Sequence, residues 1–482
     1  PSVRAERWYC SDPRHSNSES TDELVMASVQ HTLENDWTIT GNAAKSKYAS
    51  TLDYAYGFGP AGEFALANTD VYLYAYGNDI KRDVLTANMS LGGDFDLFDR
   101  THKFFAALEY QEQEADNSRA SFGLGYLNIF EDGGQGVTSD GQPIPDWSLG
   151  PYTNGDISKN EAFRASVQAL VNLSPRINAL VGVLGQTTDL DSEAWRVSQP
   201  TRTDSFSDTD VLGRMAFSMK LLEAPGRWLQ DARAYLSYSQ GVRPNVGVFD
   251  ADGIALTDPQ EMESYEIGFK SQWIDGNVDA DIAFFHSYVT NVPSSFFEIV
   301  DGEPTGGLAE SLSGKNVFDG VEASILGEIL PGWNLSLAYT YLKSEVEQDL
   351  FPEKLVVANA PKHQAALVTS YEFLQGRLKG FTIGSAVVMK VDSAMLDNAA
   401  TIAAGNYDPT NQLLASQTRV DFRLAYKGFT GSLEGLEMSA NIYNAFDDEF
   451  NHSINGSAAF TVTAARPRTF TYEISFRPGR RQ

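Results

Sequence analysis

The sequence predicts an all-β protein, a transmembrane antiparallel β-barrel. Three observations carry this. Large apolar and small or polar side chains alternate with a period of two along most of the chain. Very short connections alternate with long polar ones. No run of ~18 apolar residues exists that could cross a membrane as a helix. The mean hydropathy of −0.28 does not weigh against a membrane. A barrel strand shows lipid on one face and a polar interior on the other, so its average stays low.

The strands follow in order: 24–33, 37–56, 84–95, 102–112, 159–173, 177–188, 210–221, 231–240, 262–273, 277–290, 317–329, 333–345, 361–373, 378–391, 416–427, 433–445 and 467–477, about seventeen in all. In the third, Leu85, Ala87, Met89 and Leu91 turn away from Thr86, Asn88 and Ser90. In the fifth, Phe163, Ala165, Val167, Ala169 and Val171 turn away from Arg164, Ser166 and Gln168. Tyr265, Ile267 and Phe269 oppose Glu266, Gly268 and Lys270 in the ninth. The twelfth sets Trp333, Leu335, Leu337, Tyr339 and Tyr341 against Asn334, Ser336, Ala338 and Thr340. Near the end, Val420, Phe422, Leu424 and Tyr426 face away from Asp421 and Arg423, and Phe470, Tyr472, Ile474 and Phe476 from Thr469, Thr471, Glu473 and Ser475.

A soluble sandwich also alternates, so the connections decide. Glu34-Asn35-Asp36, Ser174-Pro175-Arg176, Asp275-Gly276-Asn277, Pro331-Gly332 and Gln375-Gly376 are tight turns. Between them lie long polar links at 57–83, 113–158, 189–209, 241–261, 291–316, 346–360, 392–415 and 446–466. Short turns at one rim and long loops at the other describe an outer-membrane barrel. A complete barrel of this kind has an even number of strands, so an odd count implies further strands upstream. Residues 1–23 then read as the remnant of an extracellular loop, 24–477 as part of the barrel, and 478–482 as a C-terminal tail.

Composition narrows the function. With 36 Lys plus Arg against 64 Asp plus Glu the formal charge is −28, which excludes a nucleic-acid binder. The single cysteine, Cys10, excludes an internal disulfide and a cysteine metal site. The six histidines are scattered, with no metalloprotease, nucleophile-elbow or phosphate-loop motif, so the protein reads as no enzyme and as needing no metal or cofactor. Asp250-Ala251-Asp252-Gly253 resembles the start of a calcium loop but lacks its closing glutamate and flanking helices, and reads as a turn.

Six C-terminal segments, in order, are similar to signatures of the TonB-dependent outer-membrane receptors. They are Ala234-Tyr235-Leu236-Ser237-Tyr238-Ser239-Gln240-Gly241-Val242-Arg243-Pro244-Asn245, then Pro259-Gln260-Glu261 through Tyr265-Glu266-Ile267-Gly268-Phe269-Lys270, Gly320-Val321-Glu322-Ala323, Ala360-Pro361-Lys362-His363, Asn444-Ala445-Phe446-Asp447-Asp448-Glu449-Phe450 and Arg466-Pro467-Arg468-Thr469. Upstream, Gly93-Asp94-Phe95-Asp96-Leu97-Phe98-Asp99-Arg100-Thr101-His102-Lys103 resembles a turn of the siderophore-receptor branch.

The resemblance implies a barrel of the 22-stranded plugged type, of which this chain holds about the last 17 strands, with the plug domain absent from the sequence. It implies an active importer of a ferric siderophore in the bacterial outer membrane, a monomer among lipid and lipopolysaccharide. Its energy would come from the TonB–ExbB–ExbD complex acting through the plug region. Cys10 would then pair with a cysteine upstream. A passive porin, a soluble β-rich adhesion protein, or a receptor of the same family for cobalamin, haem or an oligosaccharide stay open as alternatives.

Two groups of residues follow as site candidates. The polar strand face places Arg214, Arg233, Glu266, Lys270, Glu322, Asp421 and Arg423, with Glu437 and Glu473, along the lumen, as a ligand route or simply as paired charges of a hydrated wall. Trp147, Tyr152, Trp195, Phe296, Phe297 and Tyr407 stand in long polar links, where aromatic rings suit a flat or amphipathic ligand or pack on the loops themselves.

Overall fold

The structure is a computed structural model. It describes residues 17–58, 70–128, 151–245 (225 and 227 excepted), 248, 250, 256–300, 303–348, 351–357, 360–394, 413–414, 416–449, 451–454 and 462–477. Among these, the ordered elements are strands and two single 3₁₀ turns, Gly376–Leu378 and Gly431–Leu433. No helix among them is long and apolar enough to cross a membrane.

The strands are β1 (Asn17–Thr32), β2 (Thr38–Phe58), β3 (Asp70–Leu97), β4 (Arg100–Asn128), β5 (Asn154–Ser174), β6 (Ile177–Arg196) and β7 (Arg202–Glu223). They continue as β8 (Leu229–Arg243), β9 (Gln260–Trp273), β10 (Val278–Val300), β11 (Glu303–Leu330), β12 (Trp333–Gln348), β13 (Phe351–Leu355), β14 (Pro361–Glu372) and β15 (Phe381–Ala394). The last are β16 (Leu413–Leu414), β17 (Gln417–Tyr426), β18 (Leu436–Tyr443), β19 (Asn451–Ile454), β20 (Val462–Ala464) and β21 (Thr469–Phe476). Seventeen have eight residues or more, the number the alternation predicts; β13, β16, β19 and β20 have five or fewer. The chain divides into two compact units, Pro1–Ala169 with Gly182–Leu212, and Leu170–Val181 with Gly213–Gln482.

In the first unit β1 to β4 form an antiparallel meander. In the second, β7 to β12 continue in sequence order, β12 pairs β14, and β15, β17, β18 and β21 follow. The short turns are built as their sequences require. Phe98 and Asp99, at φ of 53° and 56°, close a two-residue hairpin whose left-handed pair matches the strand twist. Gly332, at φ of +86°, lies where a Cβ would stand 2.4 Å from the Glu372 carbonyl oxygen, so only glycine fits the Pro331-Gly332 turn.

The long links are shorter than the sequence suggests. Residues 70–83 belong to β3, 113–128 to β4, and the 291–316 link is mostly the β10–β11 hairpin, with Phe296 opposite Ala309 and Phe297 opposite Leu308. β1 likewise begins at Asn17, ahead of residue 24. Backbone ladders persist there while apolar residues no longer keep to one face, with Ile80 between Asp79 and Lys81 and Phe296 directly before Phe297, which erases the two-residue hydrophobic signal but not the hydrogen bonding.

Register sorts the two faces. On the apolar face of the second unit, Leu236, Ile267, Phe284, Val321 and Tyr341 form one row across five strands. The next row toward the long connections reads Tyr238, Tyr265, His286, Asp319 and Lys343. Toward the short turns the band ends at Trp273, Trp333 and Tyr371. The eight steps from Trp333 to Tyr341 cover ~27 Å of strand at ~3.4 Å per residue, or ~21 Å at a tilt of ~40°. An apolar band of about 25 Å between aromatic girdles is the height a bilayer core imposes.

Ile267 and Phe284, 61% and 51% exposed, sit in the middle of this band, and in a soluble fold that exposure would be costly. The first unit shows the same edge: Ile39, Gly41 and Ala43 give way to Lys45 and Lys47, and Leu91, Met89, Ala87 and Leu85 to Asp83.

Candidate ligand-facing surface

The opposite, polar face carries cross-strand side-chain hydrogen bonds. In the first unit Ser28, Asn42, Asn88 and Glu109 share one cross-strand row. Ser28 Oγ donates to Asn42 Oδ1 at 2.7 Å, Asn42 Nδ2 to Asn88 Oδ1 at 2.8 Å, and Arg164 Nη1 to Glu109 Oε1 at 2.5 Å. Side-chain hydrogen bonds thereby join β1 to β3 and, beside them, β4 to β5, with Asn88 and Glu109 opposite one another in register. Sequence reading did not single this row out as a site, although Asn88 and Arg164 stand on the polar side of their alternations.

All seven predicted lumen charges lie on the polar face, in three settings. Arg214 is opposite Ser239 on β7–β8. Lys220, Arg233, Lys270 and Asp281 form one row across β7 to β10, and Arg233 Nε donates to Asp231 Oδ1 at 2.7 Å. Beside it Tyr235 donates its hydroxyl to Glu266 Oε1 at 2.5 Å and lies under Lys270 Nζ, 5.1 Å from the ring centre. Glu322, opposite Ala283, adds a further carboxylate to this wall. Asp421 and Arg423 sit on β17: Arg419 Nε reaches Asp421 Oδ2 at 3.1 Å, and Arg423 spans to Asn441 Oδ1 at 3.3 Å, Glu437 Oε1 at 3.2 Å and Glu473 Oε2 at 3.6 Å.

Two buried asparagines tie the bases of long connections. Asn245, 2% exposed, donates through Nδ2 to the carbonyls of Asp258 at 2.6 Å and Asn291 at 2.9 Å, and accepts from Gln260 Nε2 at 2.8 Å. Asn291, in the left-handed region at φ of 55°, donates in turn to the Pro259 carbonyl at 2.8 Å. Asn444, 1% exposed, donates to the carbonyls of Asp448 at 3.0 Å and Arg466 at 3.1 Å, accepts from the Asp448 N–H at 3.1 Å, and gives its own N–H to Asp421 Oδ1 at 2.9 Å. Arg468 joins its N–H to Asp447 Oδ1 at 2.8 Å. Every polar atom of both amides is used, as burial demands. These residues lie inside segments that the sequence resemblance singled out, but their part in closing the loops is not legible there.

Of the predicted loop aromatics, Trp147 and Tyr407 lie outside the described residues, and Phe296 and Phe297 are placed on β10 by backbone register alone. Trp195 lies over Gly155, where a Cβ would come 2.8 Å from its ring. Tyr152 is half-buried, and burial, then the carboxylates of Asp79 and Asp53, raise its hydroxyl pKa above the usual value. Asp53, in the part of β2 beyond the apolar band, is likewise pushed up by burial, and its Oδ1 is buried without a hydrogen-bond partner. Tyr152 and Trp195 belong to the first unit, and the seven predicted charges to the second. Among the described residues no group of three or more His, Cys, Asp or Glu side chains is arranged to hold a metal.

Comparisons with known proteins agree with this architecture. The family model described as "TonB dependent receptor-like, beta-barrel" matches residues 3–445. The metal-pseudopaline receptor CntO of Pseudomonas aeruginosa is 23% identical over 482 residues, covering 96% of this chain and 60% of the receptor. The ferric-pyoverdine 358 receptor of Pseudomonas putida is 24% identical over 396 residues, covering 80% of this chain and 43% of the receptor. The chain thus spans less than two thirds of the length of these relatives. Among solved structures, the siderophore receptor PiuA from Acinetobacter baumannii superimposes with a TM-score of 0.76 at 19% identity, over 97% of this chain and 66% of that one.

Proposed function

We propose, from the premise that the chain belongs to the TonB-dependent receptor β-barrel family of the outer membrane, that it forms the barrel portion of a receptor that captures a ferric siderophore or a related metal chelate outside the cell and admits it through TonB-driven rearrangement. The observation that carries this reading is the character of the relatives. Those that match this chain over most of its length are receptors named for metal-pseudopaline, ferric pyoverdine and ferrioxamine B. The family is one of transport receptors.

The polar face gives the reading its physical content. A chelate holds its metal in an oxygen-rich cage and keeps a polar, often charged, exterior, so it needs dispersed donors and acceptors rather than one deep charged pocket. The Ser28–Asn42–Asn88–Glu109 row and the Tyr235–Glu266–Lys270 and Asp421–Arg423–Glu437 groups offer both signs, each already hydrogen-bonded in place. Prior pairing keeps any one site weak enough to release what it binds. The asparagine-tied loop bases fix where long connections start, which limits the entropy lost when those connections close on a ligand.

Equilibrium binding of a panel of purified ferric siderophores to the full-length receptor in detergent tests this, with pyoverdines and ferrioxamine B included. Saturable binding of one iron-loaded chelator, with much weaker binding of its iron-free form, is the expected result. Steady ion conductance in planar bilayers without binding of any panel member would contradict it.

A further inference from the structure

On the polar face of the first unit, the cross-strand rows of β2 to β4 beyond Asn42–Asn88–Glu109 are built mainly of amides and hydroxyls. Toward the long connections the next row sets Thr86 between Ala44 and Gln111, and the one after it Val84 between Ser46 and Gln113. Exposed Arg82 follows, opposite Tyr48 and Ala115, then Asn117 opposite Ile80, then Asn78 opposite Arg119. Asn88 and Asn78 stand ten residues apart on β3, ~34 Å of strand at ~3.4 Å per residue, or ~26 Å at a tilt of ~40°.

The other ionised groups of this stripe are already committed. Glu109 accepts from Arg164, and Arg119 Nη2 donates to Asp156 Oδ1 at 3.1 Å. The amides are not. Asn78 Oδ1, Asn117 Oδ1 and Asn160 Oδ1 are buried without a hydrogen-bond partner, although all three residues are only half-buried. Asn160 lies four residues from Arg164 on β5 and so shares its face. An amide whose oxygen is stranded at rest gains more by turning to a passing donor than one already paired. The polar wall of the second unit differs: there Arg233 holds Asp231, and Arg423 holds Glu437.

We propose that the polar face of β2 to β4 is the wall along which the chelate crosses, and that it favours chelates whose exterior presents amide and hydroxamate groups rather than several fixed charges. The inference rests on the importer reading and names the surface and the ligand class within it. Every Asn and Gln side chain both donates and accepts, so a chelate's carbonyl and N–H groups exchange one amide for the next at similar free energy. Many weak, equivalent contacts let a solute enter without being trapped. Fixed ion pairs offer no such exchange, because a chelate must first break them or pass them unbound.

Cysteine labelling in cells that make the full-length receptor tests the proposal, with ferrioxamine B and the ferric pyoverdines of the binding panel as the chelates. A membrane-impermeant maleimide is expected to label Gln111→Cys at least tenfold faster with a bound chelate and active TonB than with either missing. Thr340→Cys, on the polar face of the second unit, is expected to change less than twofold, and the label on Cys10 in the unsubstituted receptor sets the blank. Asn88→Cys replaces Gln111→Cys if the latter does not assemble. Gln111→Glu/Gln113→Glu and Gln111→Lys/Gln113→Lys are each expected to slow uptake at least tenfold while surface binding changes less than twofold, and Gln111→Asn/Gln113→Asn to keep at least half the rate. Equal acceleration at both cysteines, or none at the first, overturns the route. Slowing by one sign of charge alone overturns the neutral stripe as the selecting feature. Failure of every chelate to bind overturns the importer reading and the route with it, whereas binding and uptake that ignore these substitutions overturn the route alone.

Discussion

Tyr235 lies flat over Gly268, its ring atoms 2.6 Å from where a Cβ on that glycine would stand, and its hydroxyl holds Glu266 Oε1 at 2.5 Å. The aromatic ring covers the backbone that glycine exposes and at the same time places a carboxylate on the polar face. Gly268→Ala is expected to push the ring off and cost about 1–3 kcal/mol, the range for overpacking. In a Tyr235→Ala background the same substitution is expected to cost almost nothing. Unfolding midpoints of the two single variants and the double variant in detergent check this, and additive costs would show that the ring and the glycine are not coupled.

The Asn444 amide partners three backbone groups at the foot of the 446–466 connection, and the Asn245 amide partners two carbonyls at that of 246–259. Removing either amide by substitution to alanine strands buried carbonyl groups, at about 1–3 kcal/mol. Limited proteolysis is the sensitive readout: faster cleavage confined to 246–259 in Asn245→Ala, and to 446–466 in Asn444→Ala, is expected. Uniformly faster cleavage in both would indicate general destabilisation instead.

Asp53 adds a pH dependence with a definite sign. Burial raises its pKa above 3.8, so the folded state holds the proton more tightly than the unfolded state. Stability from this group is therefore full below the ordinary carboxylate value and declines as pH rises through the raised one. Asp53→Asn is expected to be more stable than wild type at neutral pH and equal to it in acid. A stability difference that stays constant from acid to neutral pH would refute the assignment.

The membrane band makes a positional prediction. Ile267, in the middle of the apolar row, should tolerate arginine poorly, at about 2–4 kcal/mol for a lipid-facing charge near the midplane. Thr340, on the polar face opposite Glu322, should accept arginine with little change. Folding yield into lipid vesicles, followed by heat-modifiable gel mobility, distinguishes the two; equal yields would place Ile267 away from lipid.

The strands were legible wherever one face met lipid, because Leu236, Ile267 and Tyr341 alternate with polar neighbours. They were illegible where β3, β4, β10 and β11 run on beyond the band, since Asp79, Lys81 and Asp83 occupy the face that Leu85, Met89 and Leu91 hold within it. The polar strand face that carries Asp421 and Arg423 follows from the same period. The contacts of Asn245 and Asn444 did not follow, because an asparagine in a turn-rich segment reads the same whether it closes a loop or merely starts one. The aromatic candidates depended on loop geometry, which period says nothing about, and Trp195 proves to be packed over Gly155.

Uptake of radioiron bound to the chelator selected by the binding panel, in cells whose own receptor gene is deleted and replaced by the full-length receptor, tests the central claim most directly. Accumulation that requires the receptor and is abolished by loss of TonB is the predicted result. Receptor-dependent entry that continues undiminished without TonB, or no receptor-dependent entry for any iron chelate, would contradict it.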